Sequence, residues 1–115
     1  MSEGCLFCRI VAGDIPGDFV YQDTEMVAFR DINPVASTHI LLVPRQHIES
    51  VQNLRPEHEG LIGRMVLRAR ALGEEEGIAE RGYRLVVNSG REGGQVVPHL
   101  HIHLIGGRRL SDHVG

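Results

Sequence analysis

Three histidines alternate with large aliphatic residues in Pro98-His99-Leu100-His101-Ile102-His103-Leu104-Ile105. Side chains on a strand alternate between its faces, so His99, His101 and His103 share one face and Leu100, Ile102 and Leu104 the other. A helix would scatter them. An ordinary polar sheet face is more readily built from Thr or Val than from imidazole, so an unbroken alternation points to chemistry. Two kinds suit it. Neutral imidazole is a common zinc ligand, although residues i and i+2 lie ~6.6 Å apart along a strand, so adjacent rings converge only by tilting. Alternatively, a neutral imidazole attacks an electrophile such as phosphorus and holds the group covalently until water releases it, its neighbours acting as donors or proton carriers. The upstream segment favours phosphate. Asn88 at a strand end, then Gly90, Gly93 and Gly94, offers an amide side chain and an open backbone able to cradle phosphate oxygens.

The elements that must position these groups follow from period and punctuation. Cys5 to Ala12 can start a short helix, which Gly13 and Asp14-Ile15-Pro16-Gly17 would end. Phe19–Gln22 and Glu25–Arg30, separated by Asp23-Thr24, read as a hairpin. His39–Val43, closed by Pro44, suits a central strand buried on both faces. The spacing of Ile62, Met65, Val66, Ala69 and Leu72 predicts one long helix over 56–76, with Pro56 in its first turn, Glu57 and Glu59 at its positive end and Gly77 as its stop. Tyr83–Asn88 predicts a strand, Ser89–Gln95 a glycine-rich loop and Val96–Ile105 the last strand. Adjacent strand pairs with one long inserted helix define an α+β domain with a mainly antiparallel sheet of about five strands.

Composition narrows the function. A chain of 115 residues, 42% hydrophobic and 23% charged, fits one globular domain over 1–115. All 12 basic residues are arginine, which removes Schiff-base, lysine-adenylate and Walker-type phosphate chemistry. The net charge of -3 argues against general nucleic-acid binding. No apolar run approaches the ~20 residues that span a bilayer. The opening Met1-Ser2-Glu3-Gly4 has neither the basic segment nor the apolar core of a signal peptide, so the expected compartment is the reducing cytoplasm.

The segment His99-Leu100-His101-Ile102-His103-Leu104-Ile105 resembles the signature of the histidine-triad (HIT) superfamily. The resemblance extends, in family order, through Phe29-Arg30-Asp31-Ile32-Asn33-Pro34, Thr38 to Ile48, Tyr83 to Asn88 and Gly93-Gly94-Gln95. The length and Gly106-Gly107 look like the nucleotide-binding Hint branch or its close bacterial relatives. The resemblance implies a HIT-like fold and a homodimer. It also implies an enzyme that cleaves purine nucleoside phosphoramidates or related adenylates, AMP or GMP derivatives, to the monophosphate, with no metal needed for catalysis.

Each matching residue then carries an implied role. His101 takes the nucleotidyl group, His103 donates to a non-bridging phosphate oxygen, and His99 supports the central ring. Asn88, Gly94, Gln95 and Val96 lie near the phosphate. Asp31 accepts from the ribose hydroxyls, while Leu6, Phe7, Ile10, Phe29 and Ile32 form the slot for the purine. One position departs from the pattern: the Hint branch has a serine that helps the leaving group where this chain has Val96. Without the hydroxyl, water or His99 substitutes, or the leaving-group preference differs. The tail from Arg108 also lacks the tryptophan and proline of the animal proteins. Other readings are a dinucleoside polyphosphate hydrolase, a purine-nucleotide-binding protein with little turnover, and a zinc module with metal at His101 and His103.

Cys5-x-x-Cys8 can be free thiols, a redox pair or half of a zinc site. No strand precedes it, which disfavours the redox reading. Bacterial relatives in the superfamily complete a structural zinc site from two further positions, here His47 and His99, and Cys5, Cys8, His47 and His99 would close a tetrahedral shell. Of the other histidines, His39 is expected to be structural, His58 exposed, and His113 part of the tail.

Overall fold

The computed structural model describes residues 4–114. Met1 to Glu3, part of the segment read for targeting, and Gly115 of the tail lie outside the described residues. The helices are α1 (Leu6–Val11) and α2 (Glu59–Glu75); the strands are β1 (Phe19–Gln22), β2 (Met26–Arg30), β3 (Thr38–Pro44), β4 (Tyr83–Val86) and β5 (Ile102–Gly106). The strands form one antiparallel sheet in the order β1-β2-β3-β5-β4. The α+β class expected from the sequence is the class observed.

Local chemistry explains the joints. Asp23 Oδ1 accepts the backbone N–H groups of Glu25 and Met26 at 2.7 and 2.8 Å, an Asx turn that closes the β1–β2 hairpin. β3 is buried along its whole length and feeds two cores. Ile40 and Leu42 point toward α2 with Met65, Ala69, Leu72, Leu100, Ile102 and Leu104. Leu41 and Val43 face the other side with Cys5, Phe7, Ile10, Val27 and Phe29, under α1. An apolar run in place of an alternating one is what burial on both faces demands.

Five sequence expectations need correction. The apolar stripe of α2 is rotated: Leu61 is 8% exposed and belongs to the core, whereas Val66 is 43% exposed. Leu61, Met65, Ala69 and Leu72 repeat every three or four residues, and Val66 falls one position off that line. Pro56 opens a separate 3-10 turn, Pro56–His58, ahead of α2. There His58, expected to be exposed, is only 7% exposed because its Nδ1 accepts the Arg55 N–H at 2.9 Å. At the far end Gly77 is the stop. Its φ of 76° lets Gly77 N–H reach the Glu74 carbonyl at 3.1 Å and Ile78 N–H the Gly73 carbonyl at 3.0 Å, a Schellman closure.

The last strand starts at Ile102, not at Val96. Pro98 brings no N–H to a ladder, His99 N–H turns back to the Val97 carbonyl at 2.8 Å, and Leu100 N–H goes to the Ile48 carbonyl at 2.7 Å. The segment before Ile102 is therefore tied to the loop after β3. β4 shortens for the same reason. Its register ends at Val86 opposite His103, so Val87 and Asn88 leave the sheet.

Candidate active site

Although His99 and His101 precede β5, the alternation survives. Leu100, Ile102 and Leu104 enter the core under α2, while the Phe7 ring meets the His99 and His101 rings edge-on at 6.1 and 5.0 Å between centroids. His103 sits 5.0 Å from His101 by the same measure.

The hydrogen bonds assign the protons. His101 donates Nδ1–H to the carbonyl of His99 at 2.7 Å, which leaves the Nε2 lone pair free. His99 donates Nε2–H to the Pro44 carbonyl at 2.8 Å, so its Nδ1 is the acceptor side. Burial pushes the pKa of all three histidines down, and for His103 the charges of His101 and His39 help to bring it to about 4. Neutral imidazoles are the forms that attack phosphorus and bind metals.

His101 and His103 form one wall of a cavity of about 780 Å³, whereas His99, expected to support catalysis, is fully buried behind it with the cysteines. Leu6, Phe7, Ile10, Phe29, Asp31, Ile32, Asn88, Gly94, Val96, His101 and His103 all line it. Apolar side chains from α1 and β2 thus face polar groups from β5 and the glycine-rich loop. Ile32 and Val96 stand at its rim, 91% and 89% exposed. Gln95 is the nucleotide-binding candidate that does not line the cavity. Its Oε1 accepts Gly90 N–H at 2.8 Å, and its Nε2 donates to the carbonyls of Glu49 at 2.7 Å and Val97 at 3.0 Å. It therefore pins the loop to the segment after β3.

Asn88 holds the same loop, its Nδ2 donating to the Gly93 carbonyl at 2.8 Å. A Cβ on Gly93 would collide with the Ser89 carbonyl, so this tight turn requires glycine there. Asp31 accepts Asn33 N–H on Oδ1 at 2.8 Å and keeps Oδ2 3.4 Å from His39 Nε2.

Sequence reasoning missed eight of the lining residues: Ile15, Pro16, Gly17, Asp18, Arg30, Asn33, Leu41 and Val97. Ile15-Pro16-Gly17 reads as a helix terminator, and only the return of the chain beside Ile10 makes it a wall. The ring partner of His103 was missed too. His39 Nε2 lies 2.9 Å from His103 Nδ1. On antiparallel strands His39 pairs with Ile105, which makes His103 its diagonal neighbour.

A second cluster adjoins the first. Cys5 caps α1 by accepting Cys8 N–H on Sγ at 3.3 Å, and the two sulfurs approach His99 Nδ1 at 3.3 and 3.4 Å. His47 Nδ1 lies 3.1 Å from Cys8 Sγ and 3.2 Å from His99 Nδ1. The four donor atoms of Cys5, Cys8, His47 and His99 all lie within 4.8 Å of one another. Tetrahedral zinc with S and N ligands spaces neighbouring donors about 3.3–3.8 Å apart, so the donor set fits a metal in both chemistry and spacing. The Pro44 carbonyl on the far side of His99 supplies the second-shell bond that aims Nδ1 at the cluster.

A histidine row beside a glycine-rich loop, over a cavity with one apolar and one polar side, defines a histidine-triad site. The chain belongs to the HIT domain family, whose pattern matches residues 12–110. It is 51% identical over 111 residues, 96% of this chain and 93% of the other, to the purine nucleoside phosphoramidase of Escherichia coli K12. It is 44% identical to protein HitA of Neisseria gonorrhoeae, covering 90% of this chain and 96% of that one. Among solved structures, a HIT family hydrolase from Legionella pneumophila superposes with a TM-score of 0.93 at 43% identity, covering 95% of this chain and 97% of that chain. A zinc-bound histidine triad family protein from Mycobacterium smegmatis superposes with a TM-score of 0.81 at 28% identity, covering 100% and 82%.

Proposed function

We propose that this protein hydrolyses purine nucleoside phosphoramidates or related adenylates to the nucleoside monophosphate through a nucleotidyl-histidine intermediate on His101. The carrying observation is the His101 Nδ1–H bond to the His99 carbonyl, which leaves a neutral Nε2 lone pair on a ring that lines the cavity. In this reading Nε2 attacks phosphorus, the P–N bond breaks and the amine leaves with a proton. Water then attacks the phosphorus, the phosphorus–Nε2 bond breaks, and the monophosphate departs. His103 donates to a non-bridging oxygen, where charge accumulates in the transition state. Asn88 and the Gly94 backbone border the phosphate, Asp31 accepts from the ribose, and Leu6, Phe7, Ile10, Phe29 and Ile32 hold the purine.

Val96 offers the leaving group no hydroxyl. Both nitrogens of His99 are occupied, one by the Pro44 carbonyl and the other by the cysteine cluster. Water therefore carries the leaving-group proton. The relative named as a purine nucleoside phosphoramidase supports this substrate class.

Cys5, Cys8, His47 and His99 would hold a zinc ion whose shell is closed by protein ligands, a structural site that ties α1 to the histidine segment. We further infer that residues 1–115 act as one HIT domain, that the protein works as a cytoplasmic homodimer, and that neither nucleic acid nor membrane is its partner. Val66 and Leu67 on α2, with Leu85 and Val87 on and beyond the edge strand β4, supply exposed apolar surface for the dimer. Among the described residues, no helix is long and apolar enough to cross a membrane.

Single-turnover release of AMP from an adenosine phosphoramidate, compared between the unmodified protein and His101→Ala, tests the activity. Release lost in the variant supports it. Tight AMP binding without turnover in either protein would favour a nucleotide-binding role.

A further inference from the structure

We propose that a second cleft, separate from the histidine cavity, binds a phosphate group through Arg81, Arg108 and Arg109. The cleft has a volume of about 460 Å³ and shares no lining residue with the cavity of His101. It lies where the turn after α2 meets the chain leaving β5, so it does not depend on the chemistry of His101.

The walls leave the space open. Besides the arginines they offer one buried apolar side chain, Ile78, and the glycines Gly77, Gly82 and Gly107. These glycines have φ of 76°, 105° and 104°, the left-handed region, and a Cβ on Gly77 or Gly82 would meet no atom within 4 Å. No carboxylate lines the cleft. Elsewhere Arg30, Arg55 and Arg64 each face a glutamate, and the chain as a whole carries a net charge of -3. Three guanidiniums on one concave wall run against that pattern. Their repulsion is relieved by an anion, and a cleft walled by protein focuses their field on it.

The arginines from the tail are held in place by the backbone. Arg108 donates from Nε to the Val35 carbonyl at 3.0 Å and from Nη1 to the Arg109 carbonyl at 3.1 Å, which leaves Nη2 uncommitted. Arg109 donates from Nε to the Leu110 carbonyl at 3.3 Å and from Nη2 to Asp112, which leaves Nη1. Arg84 grips the Ser111 carbonyl and pins the tail beyond them. Arg81, from the turn after α2, makes no side-chain hydrogen bond or ion pair among the described residues. Its guanidinium is free to take two oxygens at once, the fork geometry that suits phosphate. Asp112 offsets one of the three positive charges. The two that remain match the dianion of a phosphate monoester or of inorganic phosphate.

The test is an NMR titration of the full-length, zinc-loaded protein with inorganic phosphate and, separately, with ribose 5-phosphate, against sodium chloride of equal ionic strength. Backbone amides of Gly82 and Gly107 and the Arg81 Nε–H report the cleft; those of Gly94 and His101 report the histidine cavity. We expect saturable shifts at the cleft reporters with both phosphates, and a Kd raised about tenfold or more in Arg81→Ala, the usual loss when a charge-assisted hydrogen bond is removed. Arg81 and Arg109 are both exposed, so Arg81→Ala and the double variant with Arg109→Ala should fold. Tighter binding of ribose 5-phosphate would make the ligand a phosphorylated metabolite, and tighter binding of inorganic phosphate a free anion; either supports the site. Shifts confined to Gly94 and His101, an equal response to chloride, or cleft shifts that persist unchanged in the double variant would overturn the proposal.

Discussion

His101 donates its Nδ1–H to the backbone carbonyl of His99 at 2.7 Å, while the ring of His99 faces Cys5 Sγ at 3.3 Å. The proposed nucleophile is thus oriented by a residue that is itself anchored in the cysteine cluster. Cys5 and Cys8 also bracket Leu6 and Phe7 on α1, which line the cavity. Metal removal should therefore reach both the fold and the site. With free zinc a thousandfold above its Kd, binding adds about 4 kcal/mol of stability. Chelation, or Cys8→Ser, should lower Tm and raise the Kd for AMP together. A Tm indifferent to chelation in protein shown to lose its zinc would contradict the structural site.

Leu104 is fully buried in the core under α2, on the face of β5 opposite His103. An aspartate there places an unpaired charge where nothing can solvate it, a loss large enough to abolish folding of a domain this size. Leu104→Asp should be insoluble or unfolded by circular dichroism, whereas His101→Ala should remain folded. A soluble, cooperatively melting Leu104→Asp protein would refute the placement of β5.

Arg30 on β2 grips Glu76, just past α2, through two bonds of 2.9 Å, and Thr38 adds a third at 3.2 Å. The Arg30 hydrogen bond, opposed by burial and aided by its charge, holds the Glu76 carboxyl below the usual carboxylate range. A depressed folded pKa contributes stability that is present above the unfolded pKa of about 4.3 and lost as pH falls through the folded value. Because the Arg30 side chain is 38% exposed, solvent screening limits the pair to about 1 kcal/mol. Denaturant melts at neutral pH should show Glu76→Gln weaker by that amount, with the gap closing in acid. A gap that persists below the folded pKa would assign the effect to packing.

Gln95 makes three bonds: those to Gly90 and Glu49 join the loop before it to the segment after β3, and the third goes to Val97. Each is worth about 1 kcal/mol net. Gln95→Ala should weaken AMP binding about tenfold by loosening Gly94 and Asn88, with backbone amide exchange rising in residues 89–97. Unchanged exchange with weaker binding would instead make Gln95 a direct ligand.

Much of this arrangement is legible in the sequence because it is written in short-range patterns. The buried run of β3, the stop at Gly77 and the alternation that separates His101 from Ile102 each depend on neighbours within a few residues. What stays hidden depends on partners far along the chain. Leu100 N–H bonds the Ile48 carbonyl in place of a strand neighbour, and no periodicity in Val96–Ile105 signals that this stretch leaves the sheet. His58 looks like a surface residue until the Arg55 N–H turns it into a cap. Val66 misleads because β-branched and aliphatic residues also serve exposed helix positions, and one residue of offset rotates a side chain by ~100°. Residues near the motifs in the chain, such as Phe29 and Asp31, fold near them around the cavity, whereas Ile15 and Pro16 escaped because a turn became a wall and Leu41 because it reads as plain core.

The most direct test of the central claim is to mix protein with an adenosine phosphoramidate, quench in alkali, where a phosphorus–imidazole bond survives, and locate the adenylyl group by peptide mass spectrometry. The account predicts an adduct on His101 that forms before AMP appears and is absent from His101→Ala. AMP released at the full rate by His101→Ala, or an adduct on any other residue, would contradict it.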